Sequence, residues 1–242
     1  MRVTRLYCEG KLTPGSSVVL PKESAHYLIN VLRLTSGDTV YLFNEQFGEF
    51  IGRIEKATMQ YVTIIIESKH QTREPSSLKV HLGLGLSKGY RMDYAIQKST
   101  ELGVSSITPL YTKYSEVRFN KTKRLENKLQ HWRRIVISSC EQSGRLSIPE
   151  IHPPMSIEGW LESSNKSCRL ILDVRGAKTL ENLEIINPVE LAIGPEGGFS
   201  TKELQIANDR GFTTISLGSR ILRSETAPVA ALAILQHRYG DM

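Results

Sequence analysis

Two stretches near the end of the chain have residue types and spacing suited to chemistry: Ile193-Gly194-Pro195-Glu196-Gly197-Gly198-Phe199-Ser200 and Leu217-Gly218-Ser219-Arg220-Ile221-Leu222-Arg223-Ser224-Glu225-Thr226-Ala227. Each follows a short apolar run that reads as a buried strand, and each leads into a helical pattern. Glycines at such turns let the backbone approach a ligand closely. Together the two loops face one pocket and bind a small molecule through main-chain groups rather than through one reactive side chain. Taken alone, the first is equally compatible with a tight strand-to-helix turn. The second adds Arg220, Arg223 and Glu225 beside an apolar helix, where charged groups need partners. Those partners are either a ligand or one another.

Other candidate chemistry is weaker. Gly83-Leu84-Gly85-Leu86-Ser87-Lys88-Gly89 lies between a strand and a helix, but Lys88 occupies the third glycine position of a dinucleotide-binding turn, so that reading fails. Lys88 and Arg91, beside the helix start, remain placed to meet phosphate. No Ser-His-Asp or Cys-His arrangement can be assembled. His26, His81 and His152 adjoin apolar runs and read as structural. No cysteine or histidine pair has zinc-ligand spacing.

With 242 residues, 40% of them hydrophobic and 23% charged, the chain can build one large domain or two modest ones. No apolar run is long enough to span a membrane, and the N-terminus lacks the pattern of a secretion signal. Cys8, Cys140 and Cys168 fit a reducing compartment, so a cytoplasmic protein is expected. The net charge is +6. The segment from Lys113 to Arg134 holds eight basic residues against Glu116 and Glu126, an excess equal to that of the whole chain. Such a patch suits phosphate contact, or else forms a solvated helix face.

Residues 17–20, 39–43, 50–55 and 61–68 alternate as strands do, with a short helix expected over 25–32; the pattern is that of a small β-barrel. The polar run 69–77 reads as a linker, placing domains at 1–72 and 73–242. Beyond it strands and helices alternate, implying an α/β domain. Strands are expected at 78–86, 107–110, 170–174, 189–193 and 214–217. Helices are expected over 92–102 and 122–140, the latter burying Leu125, Leu129, Trp132 and Val136 while Arg124, Lys128 and His131 take another side. Ser200 followed by Glu203 is a capping-box signature opening a further helix. The last helix, from about Thr226, is apolar on all sides and belongs either to a core or to a subunit interface.

In these residues the chain resembles the RsmE family of ribosomal RNA methyltransferases, within the SPOUT superfamily. The resemblance runs nearly end to end. It rests on His26-Tyr27-Leu28-Ile29-Asn30-Val31-Leu32-Arg33 with Gly37-Asp38, on Lys88, Arg91 and Gln97 to Val104, on Glu141 to Arg145 with Pro149, and on the two loops described first. It implies a PUA-like β-barrel followed by a parallel-sheet α/β domain with a deep C-terminal trefoil knot. It also implies a homodimer, S-adenosylmethionine as cofactor, and methylation at N3 of one uridine in 16S ribosomal RNA, on the assembled small subunit. By that resemblance the cofactor site comprises Leu172, Ile193, Gly194, Pro195, Glu196, Gly197, Leu217, Gly218, Ile221, Leu222, Thr226 and Ala227. The RNA surface comprises Arg5, His26, Arg33, Lys88, Arg91, Lys121, Arg124, Lys128 and Arg145. Transfer to N3 needs a group that stabilises the deprotonated base, for which Arg223 is the candidate, and a proton acceptor. Glu225 could accept the proton or orient Arg223, and Glu196 is the second candidate base. The rival readings are a non-catalytic RNA-binding protein with a vestigial pocket, a SPOUT enzyme with a different RNA target, and a nicotinamide oxidoreductase.

Overall fold

A computed structural model of the chain describes residues 4–72, 76–119, 122–163, 168–180 and 183–242. They fall into two compact units: Met1–Pro75 with Cys140–Ile148, and Ser76–Ser139 with Pro149–Met242.

In the first unit β1 (Thr4–Tyr7), β2 (Ser17–Leu20), β3 (Thr39–Asn44), β4 (Gly48–Ala57) and β5 (Val62–His70) form one sheet in the order β1-β3-β4-β5-β2. β1 runs parallel to β3, and the other pairs are antiparallel. Val62, Ile64 and Ile66 alternate inward along β5 and meet Val40, Leu42 and Ile54 in a closed apolar core. That period of two puts one face inside and one in water. β5 runs on through His70, which pairs with Glu49. Lys69 and His70 are therefore strand rather than linker, held there by a ladder that composition could not reveal. The expected short helix is two pieces, α1 (Lys22–His26) and a wider π-helical turn (Tyr27–Val31) that buries Leu28. The chain leaves it through Arg33 at φ 56°, an uncommon conformation for a residue with a side chain.

The second unit alternates as expected. Its elements are β6 (Val80–Gly85), α2 (Tyr90–Glu101), β7 (Ser106–Tyr111), α3 (Thr122–Ser143), β8 (Glu150–Ile151), β9 (Met155–Ser156), α4 (Ile157–Glu162), β10 (Cys168–Leu172), β11 (Lys178–Thr179), β12 (Val189–Ile193), α5 (Thr201–Asp209), β13 (Thr213–Ser216) and α6 (Thr226–Tyr239). The last four residues of α3 group with the first unit. The strands form a parallel sheet in the order β11-β13-β10-β12-β6-β7-β8, with β9 also on β7. Every residue of β12 is buried, as in a sheet covered on both faces.

Two glycines of the Gly83–Gly89 run have packing roles. A Cβ on Gly83 would meet Leu110 and the Trp160 ring, and one on Gly85 would collide with Gly194 and Pro195. Their smallness admits an indole and a loop, which explains a GxG without a dinucleotide turn.

α5 starts as its sequence dictates. The Glu203 amide donates to Ser200 Oγ (3.3 Å), and Ser200 N donates to Glu203 Oε2 (2.7 Å), a complete capping box. The other Glu203 oxygen accepts from Lys113 N at 2.7 Å, pinning the loop after β7 to the same helix end. α6 buries Ala231, Leu232 and Leu235 on one side, while Val229, Ala230, Ala233 and Ile234 are only half-buried on the other. Among the described residues no helix is long and apolar enough to cross a membrane.

Candidate active site

β13, β10 and β12 are neighbours in the parallel sheet, so the loops after their C-terminal ends converge. This is where open α/β sheets place ligands. The three loops enclose a cavity of about 760 Å³. Leu172 closes it from the β10 loop. Ile193, Gly194, Pro195, Glu196 and Gly197 come from the end of β12 and its loop, Leu217, Gly218, Ile221 and Leu222 from the β13 loop, and Ala227 from the first turn of α6. Arg223 and Glu225, expected as catalytic, line the same cavity, as does Arg91, which was expected on the RNA surface. Thr226 does not line it: its amide donates to Arg223 O at 2.9 Å in the first turn of α6.

The glycines have identifiable reasons. Gly218 has φ +101° and Gly198 φ +66°, both left-handed, and the space where a Cβ would stand is empty at each. Gly197 sits against Tyr114, whose Cβ would lie 2.7 Å from an added Cβ. Gly198 N donates to Pro195 O at 2.8 Å, closing the turn.

Tyr114, Asp173, Val174 and Arg175 were not among the residues expected at the site, yet all four line the cavity, together with Phe199 of the first loop. Arg175 forks onto Asp173, with Nε to Oδ1 at 2.7 Å and Nη2 to Oδ2 at 2.9 Å. Its Nη2 also reaches Phe199 O at 3.0 Å, tying the β10 loop to the β12 loop. Burial alone would raise the Asp173 carboxyl, but the Arg175 hydrogen bonds and charge outweigh it and hold the group below its ordinary value. The signal for this pair was present as Asp-Val-Arg at the end of a buried strand.

Charges at the mouth are organised around Arg91. Its Nη1 donates to Glu196 Oε1 at 2.9 Å, and its Nε lies 4.0 Å from Glu225 Oε2. Glu225 is buried and accepts from Ser224 Oγ at 3.2 Å. The Arg223 side chain is exposed and has no ion pair among the described residues, so the partner of Glu225 is Arg91. The expected Arg–Glu coupling exists with a different arginine, contributed by α2 rather than by the same loop. Ile221, 85% exposed, presents an apolar side chain at the rim.

The other residues expected to bind RNA are dispersed. Arg5 is withdrawn from the surface: Nε pairs with Glu49 at 2.6 Å, Nη1 and Nη2 donate to the carbonyls of Cys140 (2.6 Å) and Arg145 (3.2 Å), and the guanidinium lies over Phe43. That many partners make Arg5 a structural clamp within the first unit. Lys128 is likewise engaged, with Asp93 Oδ1 at 2.9 Å and the Trp132 ring. His26, Arg33 and Arg124 are exposed. Lys88 is exposed and pairs with Glu116 at 2.5 Å. Arg145 Nη2 donates to Ser147 Oγ. Lys121 lies outside the described residues.

Comparison with known proteins agrees with this geometry. A family model described as an RNA methyltransferase domain matches residues 74–236, and one described as an RNA methyltransferase PUA domain matches 20–67. The fold and cavity are thus those of a two-domain RNA methyltransferase. Ribosomal RNA small subunit methyltransferase E of Buchnera aphidicola (subspecies Schizaphis graminum) is 39% identical over all of this chain and 98% of its own length. A methyltransferase structure from Legionella pneumophila, solved with bound SAM, superposes with TM-score 0.95 at 37% identity, all of both chains covered. Ribosomal RNA small subunit methyltransferase E from Neisseria gonorrhoeae, bound to S-adenosyl methionine, superposes with TM-score 0.93 at 33% identity, again over both whole chains. The chain belongs to the ribosomal RNA small subunit methyltransferase E family.

Proposed function

We propose that this protein transfers a methyl group from S-adenosylmethionine to N3 of a specific uridine in 16S ribosomal RNA, acting in the cytoplasm on the assembled small subunit. The observation that carries the reading is the convergence of three strand-end loops on one glycine-lined cavity flanked by Arg91, Glu196, Arg223 and Glu225. The cavity suits the cofactor: apolar walls at Leu172, Ile193 and Leu222 meet open backbone at Gly194, Gly197 and Gly218. Such backbone can read an adenine edge and an amino-acid head. When bound, the cofactor supplies an electrophilic methyl.

The chain's own residues do the rest. N3 of uracil carries a proton and becomes nucleophilic once that proton leaves. Glu225, held by Ser224 and Arg91, is the proton acceptor. Arg223, exposed at the mouth, stabilises the anionic base. Arg91 and Glu196 position Glu225. The three loops fix the base beside the methyl, and such alignment contributes much of the rate. The base enters unstacked from its neighbours.

The finer fold reading is a trefoil knot. It is supported by β13 lying between β10 and β11, both earlier in the chain, and by Gly176, which a Cβ would drive into the backbone of Ile215 and Ser216. A homodimer is supported by the half-buried apolar side of α6 and by Tyr90, 66% exposed on the adjoining α2. The PUA-like unit contributes RNA contact through His26 and Arg33.

The test is transfer of labelled methyl from S-adenosylmethionine to purified small subunits lacking the modification. Incorporation as 3-methyluridine supports the reading, and incorporation into another nucleoside, or none, overturns it. Strong preference for subunits over bare RNA supports the substrate form.

A further inference from the structure

Beside the cofactor cavity the same unit carries a second concavity of about 530 Å³ between the loop after β6, the loop after β7 and the start of α3. Lys88, Arg118, Arg124 and Lys128 line it, with Phe119 on its wall and Glu116 as the one carboxylate among the lining residues. Shared lining residues relate it to the active site through a third concavity. A concavity holding Lys113, Tyr114 and Glu116 borders the groove at Glu116, and borders the cofactor cavity at Arg91, Tyr114, Glu196 and Gly197. The three concavities thus adjoin in series.

The chemistry of the groove is that of a nucleotide. Lys88, Arg118 and Arg124 against Glu116 favour a phosphodiester. Arg118 is anchored through Nη2 to Thr112 O at 3.0 Å and lies over the Tyr111 ring, so its guanidinium is preset. Arg124 stands 6.0 Å over the Phe119 ring, the arrangement in which a cation and an aromatic face receive phosphate and base together. Phe119 is itself braced edge-on by buried Trp132, ring centroids 6.1 Å apart. Lys128 is taken by Asp93 and contributes only to the field. Lys88 is shared with Glu116, both side chains well exposed, which leaves it able to exchange that carboxylate for a phosphate.

We propose that this groove is a subsite for an RNA nucleotide neighbouring the methylated one, its phosphodiester held by Lys88, Arg118 and Arg124 and its base stacked on Phe119. The inference rests on the reading of the protein as an RNA methyltransferase and adds where the strand runs once the target base has entered the cavity. Glu116 then opposes the RNA, an unusual prediction for a surface carboxylate.

The experiment measures steady-state methyl transfer by the full-length protein to small subunits across a salt series, with cofactor affinity measured separately by calorimetry. Arg124→Gln and Phe119→Leu are each expected to raise the RNA KM about tenfold or more with cofactor affinity unchanged. Arg124→Gln should also reduce the log-log salt slope by about 1. Glu116→Gln is expected to lower the RNA KM, a direction that a folding defect cannot produce. Wild-type RNA KM and salt slope in Arg124→Gln and Phe119→Leu, or no gain from Glu116→Gln, would overturn the subsite while leaving the methyltransferase reading intact. A wild-type protein that binds cofactor yet methylates no subunit would overturn that reading and the subsite with it.

Discussion

Gly85 and Pro195 are packed so closely that no side chain fits between them: a Cβ on Gly85 would run into the Pro195 backbone nitrogen and ring. The second glycine of Gly83-Leu84-Gly85 thus sets how deeply the Gly194–Phe199 loop sits, and with it the floor of the cofactor cavity. Gly85→Ala forces that loop outward. Overpacking of this kind costs about 1–3 kcal/mol. Calorimetry should show cofactor affinity falling at least tenfold, with a lowered melting temperature; unchanged affinity would detach this contact from the site.

Arg223 is exposed at the cavity mouth without an ion-pair partner among the described residues, so its removal should not disturb the loops. Arg223→Ala is expected to lower kcat by about 10²–10³ while cofactor affinity stays within about threefold. Near-normal turnover would remove Arg223 from the chemistry.

Arg5 gives a stability prediction in place of an RNA-binding one. Its loss leaves Glu49, 5% exposed, without its closest cation. Arg5→Ala should destabilise the first unit by about 3 kcal/mol, read as a drop in denaturant midpoint, and the salt slope of RNA binding should not change. A stable variant with a shallower salt slope would return Arg5 to the RNA surface.

His81 on β6 supplies a pH dependence. Burial, reinforced by the charge of neighbouring His152, lowers it from 6.5 to about 4. Its Nε2 is 2.8 Å from Thr108 Oγ1, and the Trp160 indole approaches the same nitrogen at 3.4 Å. Because the folded state resists protonation, unfolding takes up a proton between pH 6.5 and about 4. This contribution is complete above pH 6.5 and is lost as the pH falls through that window. Denaturant midpoints of the wild type should decline across it, and His81→Gln should flatten the decline. Equal slopes in both proteins would show that another group carries the acid sensitivity.

Much of the site was legible because its signals are local. The Ser200–Glu203 capping box, the glycine turns after β12 and β13, and the strand–helix alternation each act within a few residues, and the structure realises all three. What sequence reading missed depends on distant partners. Nothing near Arg5 announces that its guanidinium meets carbonyls from residues 140 and 145. Nothing near Glu225 announces Arg91 from α2. Tyr114 enters the cavity because Glu203, ninety residues on, holds the β7 loop by the Lys113 amide. The two-residue strands β8, β9 and β11 are too short to show a period, and they exist because long neighbours offer them a ladder.

The most direct test of the central claim is nucleoside mass spectrometry of small-subunit RNA from cells lacking this protein. The predicted result is loss of 3-methyluridine, restored when the purified protein and S-adenosylmethionine are added to those subunits. Unchanged 3-methyluridine in the deletion cells would contradict the proposed target.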